Sequence, residues 1–420
     1  MIMEPKIRLK GFEGDWENVK FPSLFTFLRN NTLSRACLTN NEGSVMNVHY
    51  GDVLIKFNDT LDVSKNEIPY IADESLGRDL LRNGALKDGD IVFADAAEDN
   101  TVGKCIEIIN CDDNAIVSGL HTMPCRPNKH IARGLLGYYL NSKSYHDQLL
   151  PHIQGSKISS ISKSALSKTK ITLPTDSREQ FGISEYFQKL DTLIQSTAKK
   201  IESLKKVKAA SLQSMFPQEG ETTPCVRFKG FDGEWVSCIV GELGNWEKGQ
   251  GLSKSELTDS GAYACIHYGE LFNYSECIQK VNSKCNLMSD TLSSDNDILF
   301  PDSDVTPTGL GRCSALTQKG IILGGGINIL HLKSKYFAPC VSYAINVNNK
   351  QIIERVTGTT VRHINAKSLS EVNIKLPKSI EEQQQIANYF TNLDKQIDLQ
   401  TQRLEKLKQI KAACLDNMFV

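Results

Sequence analysis

The chain has 420 residues, of which 40% are hydrophobic and 23% are charged, with 48 basic and 49 acidic side chains. This length and apolar content predict two or three globular domains. The formal net charge of −1 lacks the basic excess typical of a protein that binds DNA alone, since phosphate contacts supply most of that affinity; the chain either does not bind nucleic acid or binds it within a complex.

The cysteines and the first residues bear on the cellular compartment. The twelve cysteines are scattered without a CxxC pair, and the first residues lack the basic and then apolar segments of a signal peptide. No apolar run approaches the roughly 18 residues that suggest a transmembrane helix. We therefore expect a cytoplasmic protein with reduced thiols, without a membrane span and without a metal site.

A short signature opens each half of the chain. Residues 7–17 read IRLKGFEGDWE and residues 226–236 read VRFKGFDGEWV, at an offset of 219. A longer shared segment closes each half, at residues 158–217 and 361–420, at an offset of 203. A repeat of about half the chain is far longer than a solenoid period, so it predicts two tandem domains.

Between these shared segments, the two centres have almost unrelated sequences, and the first is 16 residues longer. Each centre shows a polar turn, a short apolar strand and a polar loop, which indicates mixed α and β structure. The strand and loop are at residues 91–94 and 95–104 in the first centre, and at 298–300 and 301–312 in the second. This arrangement predicts one scaffold with two different recognition surfaces; neutral drift after duplication is the alternative.

Loops held by rigid strands often carry side chains that read a DNA groove, although a solvated turn is the alternative for any one residue. A second shared loop, at residues 155–157 and 358–360, has a glycine followed by hydroxyl residues and can either hold a phosphate or close a turn. Basic residues precede this loop in the first half and flank it in the second. The candidate DNA contacts are Thr101, Lys104, Arg126, Lys129, Arg133, Lys143, Ser156, Lys157, Thr308, Arg312, Arg355, Thr359 and Arg362.

Each closing segment predicts one long helix. A strand-like run ending in Leu-Pro precedes it, at residues 170–174 and 373–377, because proline cannot donate to a β-ladder. A capping-box pattern follows, from Asp176 to Glu179 and from Ser379 to Glu382. Each glutamate is expected to reach back to the N-cap amide.

The helices are predicted over residues 183–216 and 386–419, where glycine and proline are absent. Their apolar residues recur at alternating spacings of three and four, which is typical of a coiled-coil seam. The predicted seam is Phe187, Leu190, Ile194, Ile201, Leu204, Met215, Phe390, Leu393, Ile397, Leu404, Leu407 and Met418. We expect the helices to pair antiparallel, with the two variable domains at opposite ends of a rod; parallel pairing or packing on a separate partner are the alternatives.

The predicted fold class is therefore α/β (mixed α+β), with two tandem globular domains separated by two long antiparallel coiled-coil helices in a pseudo-twofold repeat. The expected boundaries are 1–175 for the first domain, 176–217 for its helix, 218–376 for the second domain and 377–420 for its helix. Such a duplication presents two similar surfaces in one molecule, which suits a target with two parts.

Motifs that indicate catalysis are missing from the sequence. The phosphate loop G-x-x-x-x-G-K-[ST] does not occur, so ATP hydrolysis is not expected. The tetrapeptides Asn-Pro-Pro-aromatic and Asp-Pro-Pro-aromatic of amino-methyltransferases are also missing, and no Glu-x-Lys follows Pro301-Asp302 as in a metal nuclease. We predict a non-catalytic chain without a cofactor; a solitary DNA enzyme with an unrecognised site is an alternative.

One combination of motifs occurs twice: Gly-[Ser/Thr], Ile-x-Leu-Pro, Glu-Gln-x-x-Ile, Leu-Asp and a closing Met-Phe. Glu179-Gln180 and Leu190-Asp191 carry it in the first half, and Glu382-Gln383 and Leu393-Asp394 carry it in the second. With these motifs the chain closely resembles the specificity subunit of Type I restriction–modification systems. The resemblance covers the whole chain in architecture and the shared segments in motifs.

The resemblance implies that each centre is a target-recognition domain that reads one half of a bipartite, asymmetric site in double-stranded DNA. It also implies that the paired helices set the spacing between the half-sites. The implied partners are two methyltransferase subunits, and restriction subunits through the methyltransferase core, while the chain itself catalyses nothing. The rival interpretation is an adaptor that spaces two protein-binding domains. Gly182 departs from the family pattern and raises the question of fraying at the first helix start.

Overall fold

The structure is a computed structural model that describes residues 4–112, 114–155 and 157–420. The chain divides into two compact units. Unit 1 comprises Met1–Ser196 and Arg403–Val420, and unit 2 comprises Thr197–Gln402. None of the helices in the described ranges combines the length and the apolar character of a membrane span.

Unit 1 contains the first globular domain. Its strands are β1 (Glu17–Lys20), β2 (Phe25–Phe27), β3 (Leu38–Thr39), β4 (Met46–Val48), β5 (Thr60–Asp62), β6 (Tyr70–Ile71), β7 (Ile91–Ala94), β8 (Ala96–Ala97), β9 (Cys105–Ile109), β10 (Ile116–Ser118), β11 (Thr122–Pro127), β12 (Ser159–Ser160) and β13 (Lys170–Leu173). Its helices are α1 (Phe21–Leu24), α2 (Tyr50–Ile55), α3 (Glu74–Gly84), α4 (Leu135–Leu140), α5 (Lys143–His146), α6 (Lys163–Leu166) and the start of α7 (Ser177–Met215).

A five-stranded sheet forms the centre of this domain, in the order β2-β11-β7-β9-β5. Strand β7 reads IVFA and is buried along its whole length, as expected of a continuous apolar run. Beside the sheet, β4 pairs in parallel with β10. Strand β1 pairs with β13, which joins the opening signature to the run before Leu-Pro. The predicted strands at residues 91–94 and 170–173 are confirmed.

Unit 2 contains the second globular domain. Its strands are β14 (Val236–Ile239), β15 (Gly244–Lys248), β16 (Tyr263–Ile266), β17 (Lys284–Cys285), β18 (Asp297–Pro301), β19 (Ser303–Asp304), β20 (Ser314–Leu316), β21 (Ile322–Leu323), β22 (Ile327–Leu332), β23 (Arg362–His363) and β24 (Asn373–Leu376). Its helices are α8 (Pro307–Leu310), α9 (Ala338–Val347), α10 (Lys350–Ile353), α11 (Ala366–Ser370) and the start of α12 (Ile380–Asn417).

The second domain repeats the topology of the first. Its central sheet has the order β15-β22-β18-β20, which corresponds to β2-β11-β7-β9. Strand β16 pairs in parallel with β21, as β4 does with β10, and β14 pairs with β24, as β1 does with β13. Centres with almost unrelated sequences therefore share one fold, and the predicted mixed α/β class with an internal repeat is confirmed. Helix α3, in the longer centre, has no counterpart among the described elements of unit 2, and the parallel pairing of β5 with β9 is reduced there to one bridge between Cys277 and Ala315.

Helices α7 and α12 confirm the two long helices predicted from the closing segments. The Asp176 carboxylate accepts the N–H two residues further on, at 2.8 Å, and the Ser379 hydroxyl accepts the N–H three residues on, at 3.2 Å. These bonds satisfy donors that would otherwise be unpaired at a helix start. Gly182 lies within α7 without ending it, and a Cβ there would come within 2.8 Å of Leu9 Cδ1. Glycine at this position therefore makes room for Leu9.

The two capping-box glutamates behave differently from the prediction. The Glu179 carboxylate accepts two hydrogen bonds from the Arg8 guanidinium, at 2.7 and 2.9 Å, and Glu382 accepts two from Arg227, at 2.7 and 2.8 Å. Both carboxylates are almost fully buried, so the charge-assisted pairs with arginine replace the expected bond to the N-cap amide. Each arginine belongs to the opening signature, which explains why signature and closing segment recur together.

The core of each unit is completed by the end of the long helix that belongs to the other half of the sequence. In unit 1, the ring of Trp16 packs edge-on against Phe419, with centroids 6.3 Å apart. In unit 2, Trp235 packs in the same way against Phe216, at 5.7 Å. All four side chains are buried. The signature of each half therefore contacts the closing Met-Phe of the other half.

Candidate nucleic-acid interface

The loops of the first domain gather where β7 ends, and we call this region the loop end of the domain. It consists of residues 95–104, the turn at 119–121 and the antiparallel pair of β8 with β12. The backbone N–H of Asp95 donates to the carbonyl of His121 at 3.0 Å, which ties the loop to the turn. An open cavity of about 540 Å³ lies here, with Tyr50 on its wall.

The loop end of the second domain is built in the same way. It consists of residues 302–312, the turn at 324–326 and the antiparallel pair of β19 with β23. The backbone N–H of Asp302 donates to the carbonyl of Gly326 at 2.9 Å. Gly326 has φ +85° and His121, its counterpart in unit 1, has φ +52°, so both turns use the left-handed region. The scaffold of the two loop ends is the same although their side chains differ.

Several predicted DNA contacts lie at the loop ends: Thr101, Lys157, Thr308, Thr359 and Arg362. The hydroxyl and the N–H of Thr101 both donate to Asp99, at 2.5 and 2.8 Å, which closes a tight turn. The Arg362 guanidinium donates to the carbonyl of Gly358. Ser156 lies outside the described residues. The assignment of these residues as DNA contacts stays a prediction.

Lys104 and Arg312 occupy equivalent places at the inner edge of the loop ends. The ammonium group of Lys104 donates to the carbonyls of Leu54 and Phe57, both at 2.9 Å. The Arg312 guanidinium donates to the carbonyl of Phe272 at 2.8 Å and to that of Tyr274. Burial lowers the pKa of both cations. Each side chain thus satisfies unpaired carbonyls of the segment that follows β4 or β16.

Three other predicted contacts, Arg126, Lys129 and Arg133, come together at the opposite end of the central sheet, where β7 begins. They line a cavity of about 440 Å³ together with Lys87 and His130. Each of the three forms an ion pair with a carboxylate: Arg126 with Asp90 at 2.6 Å, Lys129 with Glu17 at 2.7 Å and Arg133 with Asp88 at 2.8 Å. The structure therefore divides the candidates between two surfaces of the domain.

The two remaining candidates lie apart from both groups. Lys143 is exposed and forms an ion pair with Asp147 in the next turn of the chain, at 2.7 Å. Arg355 lies 3.8 Å from the carboxylate of Glu371 and donates to the carbonyl of Gln351 at 2.8 Å. The exposed Lys143 pair contributes little to stability, so this cation is available to other partners, whereas Arg355 is half-buried.

The predicted seam residues are all buried or half-buried, whereas intervening apolar residues such as Leu193, Val207 and Leu399 are exposed. In unit 1, the Tyr186 hydroxyl and the Cys414 thiol are 3.4 Å apart. Tyr186 is near the start of α7 and Cys414 is near the end of α12, so the two segments run antiparallel within this unit.

A buried lysine cluster joins the same two helix segments in unit 1. The Lys411 ammonium group donates to the carboxylates of Asp59 at 2.6 Å and Asp191 at 2.5 Å. The Tyr138 hydroxyl donates to the second oxygen of Asp191 at 2.8 Å, and its ring lies 5.3 Å from the ammonium group. The cluster therefore links the domain, the start of α7 and the end of α12.

Unit 2 contains the same cluster built from the opposite helix ends. The Lys208 ammonium group donates to Glu276 at 2.5 Å and to Asp394 at 2.6 Å. The Tyr343 hydroxyl donates to Asp394 at 2.6 Å. Lys208 and Lys411 interrupt the apolar seam at matching places in α7 and α12, and their contacts with carboxylates give them a defined structural role.

One motif at the loop ends escaped the sequence analysis. Residues 49–51 and 267–269 both read His-Tyr-Gly and both follow the strand that pairs in parallel, β4 or β16. In each copy the histidine Nδ1 accepts the backbone N–H of the glycine, at 3.3 Å in unit 1 and 3.2 Å in unit 2. The motif is only three residues long, and its offset of 218 differs from the offsets of 219 and 203 of the other shared segments. A direct comparison of the two centres would nevertheless have found it.

Nine of the twelve cysteines are buried, whereas Cys37 and Cys225 are exposed. Cys105 and Cys313 occupy equivalent buried places next to Lys104 and Arg312. Burial raises the pKa of the Cys313 thiol to about 12, and it raises that of Cys105 well above its ordinary value. Within the described part of the chain, histidine, cysteine and acidic side chains form no group suited to a metal ion.

Comparison with known proteins gives concordant results. The family model described as Type I restriction modification DNA specificity domain matches the chain twice, over residues 13–206 and 232–409. A protein of Methanocaldococcus jannaschii, assigned as the type I restriction enzyme MjaX specificity subunit, is 26% identical over 344 residues. That alignment covers 77% of this chain and 76% of the relative.

Two solved structures are similar in fold. The S subunit of a Type-I restriction-modification system from M. genitalium has a TM-score of 0.66 and 16% identity, with 100% of this chain and 99% of that chain covered. A chain from a study of complex assembly and conformational transition of the type I R-M system has a TM-score of 0.52 and 17% identity, with 96% and 97% covered. At these identities the similarity is one of fold.

Proposed function

We propose that this chain, which belongs to the family of Type I restriction modification DNA specificity proteins, is the subunit that reads DNA sequence within a restriction–modification complex. The observation that carries the proposal is the pair of domains with one topology and different loops. The domain at residues 1–175 would read one half-site and the domain at 218–376 the other. Because the two loop ends differ in sequence, the recognised site should be bipartite and asymmetric.

The loop ends have the chemistry that base recognition needs. Hydroxyl groups of Thr101 and Thr308 can donate or accept, the Arg362 guanidinium can donate to a guanine edge, and carboxylates such as Asp99 can accept from an amino group. Net charge near zero fits such a reader when other subunits hold the phosphate backbone. Loop side chains would then supply specificity, while partner subunits would supply most of the affinity.

The partners in this proposal are double-stranded DNA, two methyltransferase subunits that dock along the helices, and restriction subunits that bind through the methyltransferase core. The exposed Leu193, Val207 and Leu399 on α7 and α12 offer apolar contacts for such docking. The chain itself would catalyse nothing and need no cofactor. Buried, protonated thiols suit a reducing cytoplasm, which is the proposed location.

The proposal is tested by co-expressing the chain with its methyltransferase subunits and mapping the methylated DNA motifs. A bipartite motif is expected. Replacing residues 1–175 with the corresponding domain of a relative should change one half of the motif and leave the other half and the spacing unchanged. Methylation that does not depend on this chain, or a motif that changes in both halves, would contradict the proposal.

The helices are expected to set the separation of the half-sites. Insertion of four residues near Thr197 in α7 and near Gln400 in α12 adds one turn, about 6 Å, to each helix. The spacer between the half-sites should then lengthen by roughly one to two base pairs, at 3.4 Å per step. Methylation mapping measures this. The control is the same insertion at Gly220, an exposed position after α7, which should leave the spacer unchanged; altered bases with an unaltered spacer would refute the role of the helices.

A further inference from the structure

The His-Tyr-Gly motif at residues 49–51 and 267–269 occurs inside centres whose other residues differ, so each of its members needs a reason. The histidine has one, because its Nδ1 accepts the N–H of the glycine in both domains. The glycine has a steric reason in unit 2, where a Cβ at Gly269 would come within 3.2 Å of the histidine Nδ1; at Gly51 the distance would be 3.6 Å, an ordinary contact, and the shared role of the glycine is to donate its N–H.

The acidic residue that follows the motif is also used inside each domain. In unit 1, the Asp52 carboxylate accepts two hydrogen bonds from the Arg35 guanidinium, at 2.8 and 2.9 Å. In unit 2, the Glu270 carboxylate accepts from the Ser283 hydroxyl at 2.5 Å and from the backbone N–H of His267 at 2.8 Å. These partners differ, yet in both units they hold the acidic group within the domain.

The tyrosine is the member whose polar group the domain does not use. The ring of Tyr50 lies 4.7 Å from that of His49 and 5.3 Å from that of His121. The ring of Tyr268 lies 4.7 Å from that of His267 and against the turn glycine, where a Cβ at Gly326 would come within 2.9 Å of its Cγ. The rings are thus fixed, and phenylalanine would pack equally well.

Both tyrosines are half-buried, and within the described ranges neither hydroxyl has a hydrogen-bond partner in the chain. Tyr50 lies on the wall of the cavity at the first loop end, next to residues 96–101. Tyr268 packs on the turn that is tied to Asp302 at the second loop end. A rigid aromatic ring therefore presents a free hydroxyl at the same place in each proposed DNA-reading surface.

We propose that the hydroxyl groups of Tyr50 and Tyr268 bind a phosphate oxygen of the DNA backbone, one in each half-site. This inference rests on the proposed function. A contact that is the same in both domains cannot distinguish the different bases of an asymmetric site, so it fits the backbone, which is the same everywhere. The tyrosine would fix the position of the duplex against the loops, and the differing loop side chains would read the bases.

The test uses the full chain in complex with its methyltransferase subunits and compares wild type with Tyr50→Phe, Tyr268→Phe and the double variant. Each single change should weaken binding of a duplex carrying the cognate site by about tenfold, the effect of losing a hydrogen bond to a charged group. Binding of a duplex of unrelated sequence should weaken by a similar factor. The methylated motif and the melting temperature should stay unchanged. The matched control is Tyr263→Phe, an exposed tyrosine on β16, which should bind as wild type does.

The outcomes separate this inference from the proposed function. A wild-type complex that binds no specific DNA overturns both. Specific binding by wild type together with unchanged affinity in the double variant overturns the tyrosine assignment alone. A changed base at one position of the motif would mean that tyrosine reads a base, and a lowered melting temperature would mean that the hydroxyl stabilises the fold; either result overturns the phosphate contact. Similar and independent losses of DNA affinity in Tyr50→Phe and Tyr268→Phe support the phosphate contact.

Discussion

Replacement of Lys411 by methionine is expected to lower the free energy of unfolding of unit 1 by about 3–5 kcal/mol, because it removes one partner of a buried ion pair. The ammonium group donates to Asp59 and Asp191, and all three side chains are at most 14% exposed. Without the lysine, two carboxylates would remain buried without a counter-charge. Hydrogen exchange followed by mass spectrometry should show the loss of protection in unit 1 and not in unit 2, since the whole cluster belongs to unit 1.

The control is Lys408→Met, one turn earlier in α12. Lys408 is 53% exposed and pairs with Glu405 at 2.9 Å, and such surface pairs contribute less than about 1 kcal/mol. Addition of Asp59→Asn and Asp191→Asn to Lys411→Met should restore much of the stability, because neutral side chains no longer bury a charge. The explanation fails if Lys408→Met lowers the free energy of unfolding as much as Lys411→Met does. It also fails if the triple variant is no more stable than Lys411→Met.

The same cluster predicts a pH dependence. Burial lowers the pKa of Lys411. The carboxylates of Asp59 and Asp191 together raise that pKa by more than burial lowers it, so the net shift is upward from 10.5. A lysine whose pKa is raised by folding contributes stability that is fully present below its ordinary pKa and is lost as the pH rises through the folded value. The difference between wild type and Lys411→Met should therefore be constant from about pH 7 to 9 and shrink above about pH 10.5.

The fragment of residues 1–222 is expected to form a homodimer that reads an inverted repeat. It contains the first domain but lacks Arg403–Val420, which completes the core of unit 1. It does contain the equivalent helix end: Lys208 and Phe216 do in unit 2 what Lys411 and Phe419 do in unit 1. The helix end of one copy can therefore complete the domain of the second copy, and the reverse contact follows by symmetry.

Sedimentation measures the dimer, and methylation mapping with the methyltransferase subunits measures the site. A twofold protein should read a twofold site, so the first half-site should appear twice in inverted orientation. Phe216→Ala in the fragment should abolish the dimer, since loss of a buried phenylalanine costs about 3–5 kcal/mol. Lys206→Met, at an exposed position of the same helix, is the matched control and should dimerise. A folded monomer, or a dimer that reads the original asymmetric site, would refute the equivalence of the halves.

The helices and strands of the framework could be predicted because their signals are local. In α7 and α12, apolar residues recur at alternating spacings of three and four residues along the helix. The strands before Leu-Pro end where proline interrupts the ladder. The shared turn, strand and loop predict one scaffold for the two centres, but they do not predict the strand order of the sheets, because buried strand residues such as those of β7 and β18 tolerate many apolar combinations.

Contacts between distant parts of the sequence also escaped prediction. Glu179 matches a capping box locally, but Arg8, 171 residues away, competes for its carboxylate and forms a charge-assisted pair. A cation beside a polar loop predicts a DNA contact for Lys104, but the sequence does not show that the carbonyls of Leu54 and Phe57 lie within reach of its ammonium group. The role of Lys104 towards DNA therefore stays a prediction, whereas its role in the fold is visible.

The way in which unit 1 is completed has a consequence for synthesis on the ribosome. Nascent domains generally fold from the N-terminus onward. Here Thr197–Gln402, all of unit 2, is translated before Arg403–Val420, which unit 1 still needs. At about 5–20 residues per second, the first domain waits on the order of 10–40 seconds while the intervening segment of roughly 200 residues is made. Trp16 is without its partner Phe419 throughout that time, so the domain translated first is the last to be finished.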